Sequence, residues 1–263
     1  MRIAVQEHLL PGATLLEKWR FAESTGFEGI ELRGEDGFRD RLPDLRSATA
    51  AGAVVSSVCV ISTTSFIGSF DEDRRREGVE RMRDLIDVAG EIGARGVVTP
   101  AAYGQFSRNL PPFTPPRSDE EDQGVLQEAL SELGERAERA GTLIYLEPLN
   151  RYEDHVWNRV EQAAAFCREL GSPAVKVIGD LFHMNIEQPD PSATIRAHRG
   201  LLDHVHLADS HRYEPGAGHI DFAARFAALR EIGFDGWMAL ECRLTGAAED
   251  VLPQVARHLR ALR

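Results

Sequence analysis

The sequence contains few cysteines and no long apolar segment, and both shortages limit what the protein can be. Its three cysteines, Cys59, Cys167 and Cys242, are odd in number and lie far apart without a CxxC pair, a pattern that favours buried, reduced thiols over disulfides or a zinc knuckle. No stretch approaches the roughly 20 continuous apolar residues that a membrane helix needs, and the N-terminus lacks the basic and apolar regions of a secretory signal. We therefore expect a cytoplasmic protein that has no membrane partner.

Basic residues are also scarce relative to acidic ones. The chain has 30 lysines and arginines against 42 aspartates and glutamates, which gives a net charge of −12 at pH 7. So acidic a chain repels a phosphate backbone unless a basic groove is segregated from the remaining surface. The densest basic run, Arg74 to Arg76, is flanked by acids in a predicted helix. Nucleic acid is thus not an expected partner.

The sequence does contain a regular alternation of short apolar runs with longer helical patterns. Its 263 residues fit the roughly 250 that are typical of a complete (β/α)₈ barrel. Runs rich in valine and isoleucine, separated by helical segments that often end in glycine, indicate repeated βα units. The eight predicted strands are Ile3–Gln6, Gly29–Leu32, Val54–Val60, Gly96–Thr99, Thr142–Glu147, Val175–Asp180, His204–Ala208 and Trp237–Glu241. We predict an α/β fold, a single (β/α)₈ TIM-barrel domain that spans residues 1–263.

Two predicted loops at the carboxyl ends of strands are unusually long. They cover residues 61–70, after the third strand, and 101–116, after the fourth, and the second is stiffened by prolines. Loops at this end of a barrel surround the active face. We therefore expect residues 62–70 and 103–116, together with Trp157, to line most of the pocket. The alternatives for both loops are a lid and an ordinary variable surface loop.

Four acidic or imidazole side chains stand at the carboxyl ends of the last four predicted strands, each about one βα unit from the next. They are Glu147, Asp180, His206 and Glu241. Because residues two apart in a strand share a face, Glu147 lies on the inner face with Tyr145, and Glu241 points inward in the same way. Three converging carboxylates would repel one another without a cation or protons between them, and carboxylate with imidazole ligation suits Mn²⁺, Mg²⁺ or Co²⁺. We predict that these four side chains bind one divalent metal ion, although each alone could equally be a cap, an ion-pair partner or a core residue.

The segments LEPLNRYEDH, GDLFHMNIE, HVHLADSHR and MALEC resemble the motifs of the xylose isomerase-like TIM barrels, the sugar phosphate isomerase/epimerase superfamily. The resemblance covers essentially the whole barrel and is closest to ketose 3-epimerases and hydroxypyruvate isomerases. It is sharpest in the second half of the chain, where a further polar residue follows three of the predicted metal ligands at the spacing of ketose 3-epimerases. These pairs are Glu147 with Glu153, Asp180 with His183, and His206 with Arg212.

The resemblance implies a metal-dependent isomerase or epimerase that acts on a ketose, an inosose or a related hydroxy-ketone, with Mn²⁺ as the expected ion and Mg²⁺ or Co²⁺ as alternatives. Glu153, His183 and Arg212 would bind oxygen atoms of the sugar or polyol-derived substrate. The metal would stabilise the enediolate that forms when the carbon beside the carbonyl loses its proton. Glu147 and Glu241 then become the catalytic acid–base candidates, one on each face of the substrate.

Several alternatives remain open at this stage. His8, just past the first strand, is either a further substrate contact or a surface loop residue, whereas His204 is expected to be a hydrogen-bonded core histidine. The same site would also serve a dehydratase of a keto-polyol or a non-catalytic sugar-binding subunit. An apurinic endonuclease is disfavoured, because Ser210 and Arg212 stand where that family has metal-binding aspartate and histidine. The resemblance further implies a homodimer or homotetramer.

Overall fold

Eight parallel strands close into a barrel in a computed structural model that describes residues 1–104 and 115–263. Each strand pairs with the next along the chain, and the last returns to the first with Ala4 opposite Ala239. The strands are β1 (Arg2–Gln6), β2 (Gly29–Gly34), β3 (Val55–Val60), β4 (Gly96–Thr99), β5 (Leu143–Leu146), β6 (Val175–Asp180), β7 (Leu202–Leu207) and β8 (Trp237–Leu240). The predicted (β/α)₈ barrel is confirmed, with strand ends within two residues of those expected.

Helices fill the connections between the strands and form the outer layer. They are α1 (Leu15–Thr25), α2 (Leu42–Ala50), α3 (Glu72–Ile92), α4 (Asp119–Ala140), α5 (Val160–Leu170), α6 (Leu181–Glu187), α7 (Pro191–Ala197), α8 (Phe222–Glu231) and α9 (Ala248–Ala261). Short 3₁₀ helices occupy Glu7–Leu9 and Phe38–Arg41. In the parts of the chain that the structure describes, no helix is long and apolar enough to cross a membrane.

The helix ends follow from local chemistry that is visible in the sequence. At the start of α1, the Thr14 hydroxyl accepts a hydrogen bond from the Glu17 amide, while the Glu17 carboxylate accepts one from the Thr14 amide, which satisfies amides that the first turn leaves free. Helices α3 and α4 end at Gly93 and Gly141, whose φ angles of 74° and 70° lie in the left-handed region. The glycine-then-strand pattern in the sequence therefore marks true helix ends.

Strand alternation divides the side chains of the barrel into two environments. On β5, Ile144 and Leu146 pack against the helices, whereas Tyr145 points inward and packs with Val98 and Ile178. The interior of the barrel also holds polar side chains that are completely buried. They are Glu31, Ser57, His204 and His206. Apolar and polar side chains thus pack together inside the barrel, as in the stacking of Tyr145 on His204.

Gly96 leaves the space that Tyr145 occupies inside the barrel. A Cβ atom at Gly96 would lie 2.3 Å from the Tyr145 ring, and that ring is fixed by stacking on His204, with 4.9 Å between centroids, and by a 3.0 Å hydrogen bond from its hydroxyl to Asp203. We therefore expect Gly96→Ala to lower the free energy of unfolding by about 1–3 kcal/mol, as measured by urea denaturation. The matched variant Gly124→Ala, on α4 where a Cβ meets nothing within 4 Å, should stabilise the protein by about 0.5–1 kcal/mol. Equal effects of the two changes would refute this explanation.

Candidate active site

The side chains at the carboxyl ends of β5 to β8 converge on one point. Each of the four predicted ligand residues, Glu147, Asp180, His206 and Glu241, offers one ligand atom, and these atoms all lie within 4.8 Å of one another. The parallel register produces this convergence, because Asp180 pairs with His206 across β6 and β7, and His206 pairs with Ala239 across β7 and β8. The structure therefore brings together the four residues that the sequence analysis singled out as metal ligands.

His206 lies at the centre of this cluster, with its two ring nitrogens in different surroundings. Its Nδ1 atom is 3.1 Å from Glu147 Oε1, 3.1 Å from Glu241 Oε2 and 4.0 Å from Asp180 Oδ2. Its Nε2 atom points the other way and lies 2.9 Å from Glu31 Oε1. The Nδ1 side is therefore the side that faces the carboxylates.

Asp180 divides its two carboxylate oxygens between structure and site. Its Oδ1 atom accepts hydrogen bonds from the amides of Phe182 and His183, at 2.7 and 3.1 Å, and so caps the N-terminus of α6. Its Oδ2 atom faces the cluster and accepts a 3.0 Å hydrogen bond from Arg212. The cap fixes the carboxylate so that one oxygen is presented to the site.

Burial and neighbouring charges shift the pKa values of the cluster in different directions. Burial raises the pKa of Glu147 to about 7, against the attraction of His206. Burial acts in the same sense on Glu241, but Arg212 and His206 outweigh it and lower the pKa of that carboxyl to about 2. Burial would lower the pKa of His206, yet Glu31 and the two glutamates raise it well above its usual value. The two glutamates thus differ widely in acidity although both contact the same nitrogen.

The donor set of this cluster suits a divalent cation. Three buried carboxylates so close together need positive charge between them, and oxygen donors with one imidazole nitrogen match Mn²⁺, Mg²⁺ or Co²⁺. A neighbouring group, Glu31, Cys59 and His206, also has ligand atoms within 4.8 Å of one another. This second group has one carboxylate where the first cluster has three, and burial raises the pKa of the Cys59 thiol well above its ordinary value. The first cluster is therefore the candidate metal site.

Arg212 joins two of the cluster's carboxylates from an unusual backbone conformation. Its guanidinium donates to Asp180 at 3.0 Å and to Glu241 at 2.6 Å, and it lies over the ring of Phe182. Its φ of 66° is the only positive value of a non-glycine residue in the parts of the chain that the structure describes. A 2.7 Å hydrogen bond from the Arg243 amide to the Arg212 carbonyl stabilises this conformation, next to an isolated parallel β-bridge between Tyr213 and Arg243. Strain of this kind persists where the surroundings enforce it, and it is concentrated at functional sites.

His183 presents one ring nitrogen to the cavity because the other is already used. The Asn150 amide donates a hydrogen bond to His183 Nδ1 at 3.1 Å, so in the neutral ring the proton resides on Nε2. This Nε2 atom lies beside Arg212, which is 3.2 Å away. Asn150 also donates from its side chain to Glu153 at 3.0 Å. Asn150 thus fixes two of the predicted substrate-binding residues.

A cavity of about 490 Å³ opens above the cluster. Its walls include Glu147 and Glu241, all three of Glu153, His183 and Arg212, and residues from both long loops, namely Ser62, Thr63, Phe66 and Tyr103. The expectation for the loops was thus right for these positions, while residues 105–114 lie outside the described part of the chain. The cavity thus brings two of the four predicted metal ligands and three of the four predicted substrate contacts onto one surface.

Three other expectations have different outcomes. Trp157 was expected to line the pocket, and this prediction is wrong: the side chain is buried in the outer layer, with its ring 5.0 Å from that of Phe166 on α5. His8 is exposed on the short 3₁₀ helix after β1 and is not among the cavity-lining residues. Its role as a substrate contact stays a prediction. His204 is a hydrogen-bonded core histidine, as expected, 3.0 Å from Glu31.

Glu31 and Asn150 are functional residues of the site that were not predicted from the sequence. Glu31 stands in the middle of the run GIELRG, on the same face as Gly29 and Arg33. A carboxylate at an inward position of an apolar strand was the signal that could have identified it. For Asn150, the only hint was its position in the loop LEPLNRYEDH directly after the fifth strand.

Comparison with known proteins gives consistent matches over nearly the whole chain. A family model described as "Xylose isomerase-like TIM barrel" matches residues 19–262. The 3-dehydro-D-guloside 4-epimerase of Escherichia coli (strain K12) is 38% identical over 251 residues, which are 95% of this chain and 94% of that protein. The ketose 3-epimerase of Arthrobacter globiformis is 30% identical over 240 residues, 89% of this chain and 78% of that protein. A crystal structure of the E. coli 3-keto-D-glucoside 4-epimerase superposes with a TM-score of 0.92 at 36% identity and covers 99% of both chains.

Proposed function

Because the chain belongs to the xylose isomerase-like TIM-barrel family, we propose that it is a divalent-metal-dependent epimerase that inverts the carbon beside the carbonyl of a keto-glycoside. Relatives over nearly its full length are sugar epimerases, so the predicted class of sugar isomerase or epimerase is confirmed. The proposal concerns the metal, the roles of the residues and the substrate class.

The observation that carries the proposal is the pair formed by Glu147 and Glu241. Each glutamate has a carboxylate oxygen 3.1 Å from Nδ1 of His206. The two residues follow β5 and β8, strands that are three positions apart around the barrel. Their pKa values are moved in opposite directions, to about 7 and to about 2. Two carboxyl groups whose surroundings separate their acidities in this way are suited to act as acid and base.

We assign the chemical steps to these two glutamates. One removes the proton from the carbon beside the substrate carbonyl, and the other returns a proton to the opposite face of the resulting enediolate. A divalent cation held by Glu147, Asp180, His206 and Glu241 would polarise the carbonyl and make the neighbouring C–H bond more acidic. Because protonation occurs on the second face, the product is the epimer.

The residues around the cavity would hold the substrate during these steps. His183 Nε2 and the Arg212 guanidinium would form hydrogen bonds to carbonyl or hydroxyl oxygens of the sugar. Glu153 lies on the same wall and can accept a hydrogen bond from a hydroxyl group. These contacts would orient the carbon between the two glutamates.

A keto-glycoside is the substrate class that the relatives favour. The E. coli relative that matches 95% of this chain is named for a 3-dehydro-D-guloside, and the E. coli structure that superposes with a TM-score of 0.92 is named for a 3-keto-D-glucoside. We further propose Mn²⁺ as the ion, a homodimer or homotetramer as the assembly and the cytoplasm as the location. The three cysteines are all buried, which suits a reducing compartment.

Solvent deuterium exchange tests this proposal. The Mn²⁺-loaded protein is incubated in D₂O with methyl 3-keto-glucoside and, separately, with fructose, and each reaction is followed by ¹H NMR spectroscopy. We expect loss of the C4 proton signal of the keto-glycoside together with appearance of its C4 epimer, and much slower change in the free ketose. Faster exchange at C3 of fructose would move the substrate class to free ketoses. No exchange with either sugar would overturn the proposal.

A further inference from the structure

A fully buried carboxylate lies beneath the candidate metal site. Glu31 on β2 has no exposed surface, and each of its oxygens contacts two polar groups. The Oε1 atom is 2.9 Å from Gln6 Nε2 and 2.9 Å from His206 Nε2. The Oε2 atom is 2.7 Å from Ser57 Oγ and 3.0 Å from His204 Nε2. Glu31 therefore has hydrogen bonds with three side chains inside the barrel, Gln6, Ser57 and His204, and His206 lies against it as a fourth polar neighbour.

The partners of Glu31 differ from those of a structural ion pair. Within residues 1–104 and 115–263, its ion-pair partners are His204 and His206, with no lysine or arginine among them. Glu7, by contrast, is buried at the end of β1 and bonded through both oxygens to Arg41. A buried carboxylate is costly unless its hydrogen bonds are satisfied. At Glu31 the hydrogen bonds come from neutral side chains and a histidine, and a further neighbour, His206, is itself a member of the cluster.

The contact with His206 has a direct consequence for the other nitrogen of that ring. His206 Nε2 has no well-aligned hydrogen-bond partner in the described structure, and its nearest acceptor is Glu31 Oε1, reached by a short but bent contact. A proton on Nε2 therefore points to Glu31. With a proton held there, Nδ1 is the nitrogen that is left to bind a cation between the carboxylates of the cluster.

We propose that Glu31 is a positioning residue that holds the Nε2 proton of His206 and so keeps Nδ1 available as the metal-binding atom. The inference rests on the proposed metal site. A carboxylate that accepts the second N–H of a ligating histidine fixes both the tautomer and the orientation of the ring. Gln6, Ser57 and His204 in turn hold the Glu31 carboxylate in place.

Metal affinity in three variants tests the proposal without any substrate. Mn²⁺ affinity is measured by calorimetry in wild type, Glu31→Leu, Glu31→Gln and Ser57→Ala. We expect Glu31→Leu to weaken binding by roughly 10–100-fold. Glu31→Gln keeps an acceptor for His206 and should restore part of the loss. Ser57→Ala removes one hydrogen bond from the other oxygen of this carboxylate but keeps its contact with His206, so its loss of affinity should be well below that of Glu31→Leu. Equal losses in Glu31→Leu and Ser57→Ala would overturn the proposal, because both would then act through general packing.

A spectroscopic measurement on the imidazole ring supplies an independent readout. In ¹⁵N-labelled wild type loaded with Zn²⁺, we expect the His206 Nε2 proton to be visible and slow to exchange with solvent, and to exchange faster in Glu31→Gln. Unchanged exchange in this variant would contradict the proposal even if Glu31→Leu failed to fold. If the wild type bound no divalent ion, the proposed function would fail, and the same exchange comparison in the metal-free proteins would still decide whether Glu31 holds the proton.

Discussion

Replacing Glu241 by glutamine should lower the rate of epimerisation by about 10²–10⁴-fold, the usual contribution of a positioned acid or base, and should leave proton exchange intact for one of the two epimers. Glu147→Gln should lower epimerisation to a similar extent and leave exchange intact for the other epimer. The reason is geometric, because each glutamate would serve one face of the substrate. A variant with one remaining base can still remove and return a proton on its own face, but it cannot deliver one to the opposite face.

The measurement starts from each epimer separately in D₂O and follows both exchange and inversion by ¹H NMR spectroscopy. Both glutamates belong to the candidate metal cluster, so each variant is assayed at saturating Mn²⁺, with binding verified by the shift in melting temperature. Glu135→Gln, on the exposed end of α4, is the matched control and should keep wild-type rates. Loss of exchange from both epimers in both variants at full metal occupancy would contradict a two-base mechanism, as would inversion at the wild-type rate in either variant.

The second half of the barrel was predictable because strand periodicity and loop position act locally. Glu147 and Glu241 each stand two residues after an inward-facing residue and so share its face, and the carboxyl ends of parallel strands meet at one face whatever the helices between them do. Asp180 is a still more local case, since its cap on α6 involves only the next three residues. These positions could be read from short segments of the sequence.

The features that were missed depend on contacts between distant segments. Glu31 meets His204 across 173 residues of chain, and nothing in the second strand specifies which residues of the seventh lie opposite. Trp157 was assigned to the pocket because it follows the fifth strand, but the chain turns outward there and buries the ring against Phe166. The left-handed backbone of Arg212 depends on a loop in which Asp209 accepts hydrogen bonds from amides up to eleven residues away. Such three-dimensional arrangements leave no local periodicity.

Protonation of Glu147 alone should lower the Mn²⁺ affinity about tenfold for each pH unit below about 7, and so roughly 100-fold between pH 7 and pH 5. Burial raises the pKa of Glu147 to about 7, which means that this carboxyl is protonated below that pH and must release its proton before it can bind a cation. Above about 7 there is no proton left on Glu147 to displace, and its contribution to the pH dependence ends. Glu241 adds nothing in this range, because its pKa is lowered to about 2 and it is already ionised.

Calorimetric titrations of Mn²⁺ between pH 5 and pH 8.5 would measure the slope of the logarithm of Mn²⁺ affinity against pH. His206 acts in the same direction, since its raised pKa adds a second proton that a cation must displace from Nδ1 and makes the dependence steeper. Glu147→Gln separates the two contributions: it should bind Mn²⁺ more weakly at pH 8 but lose about one unit of slope below pH 7, because glutamine has no proton to release. The number of protons released on Mn²⁺ binding can also be measured independently, by calorimetry in buffers of different ionisation enthalpy. An affinity that is constant from pH 5 to pH 8 would mean that Glu147 is ionised throughout, and the acid–base assignment of the two glutamates would then have to be abandoned.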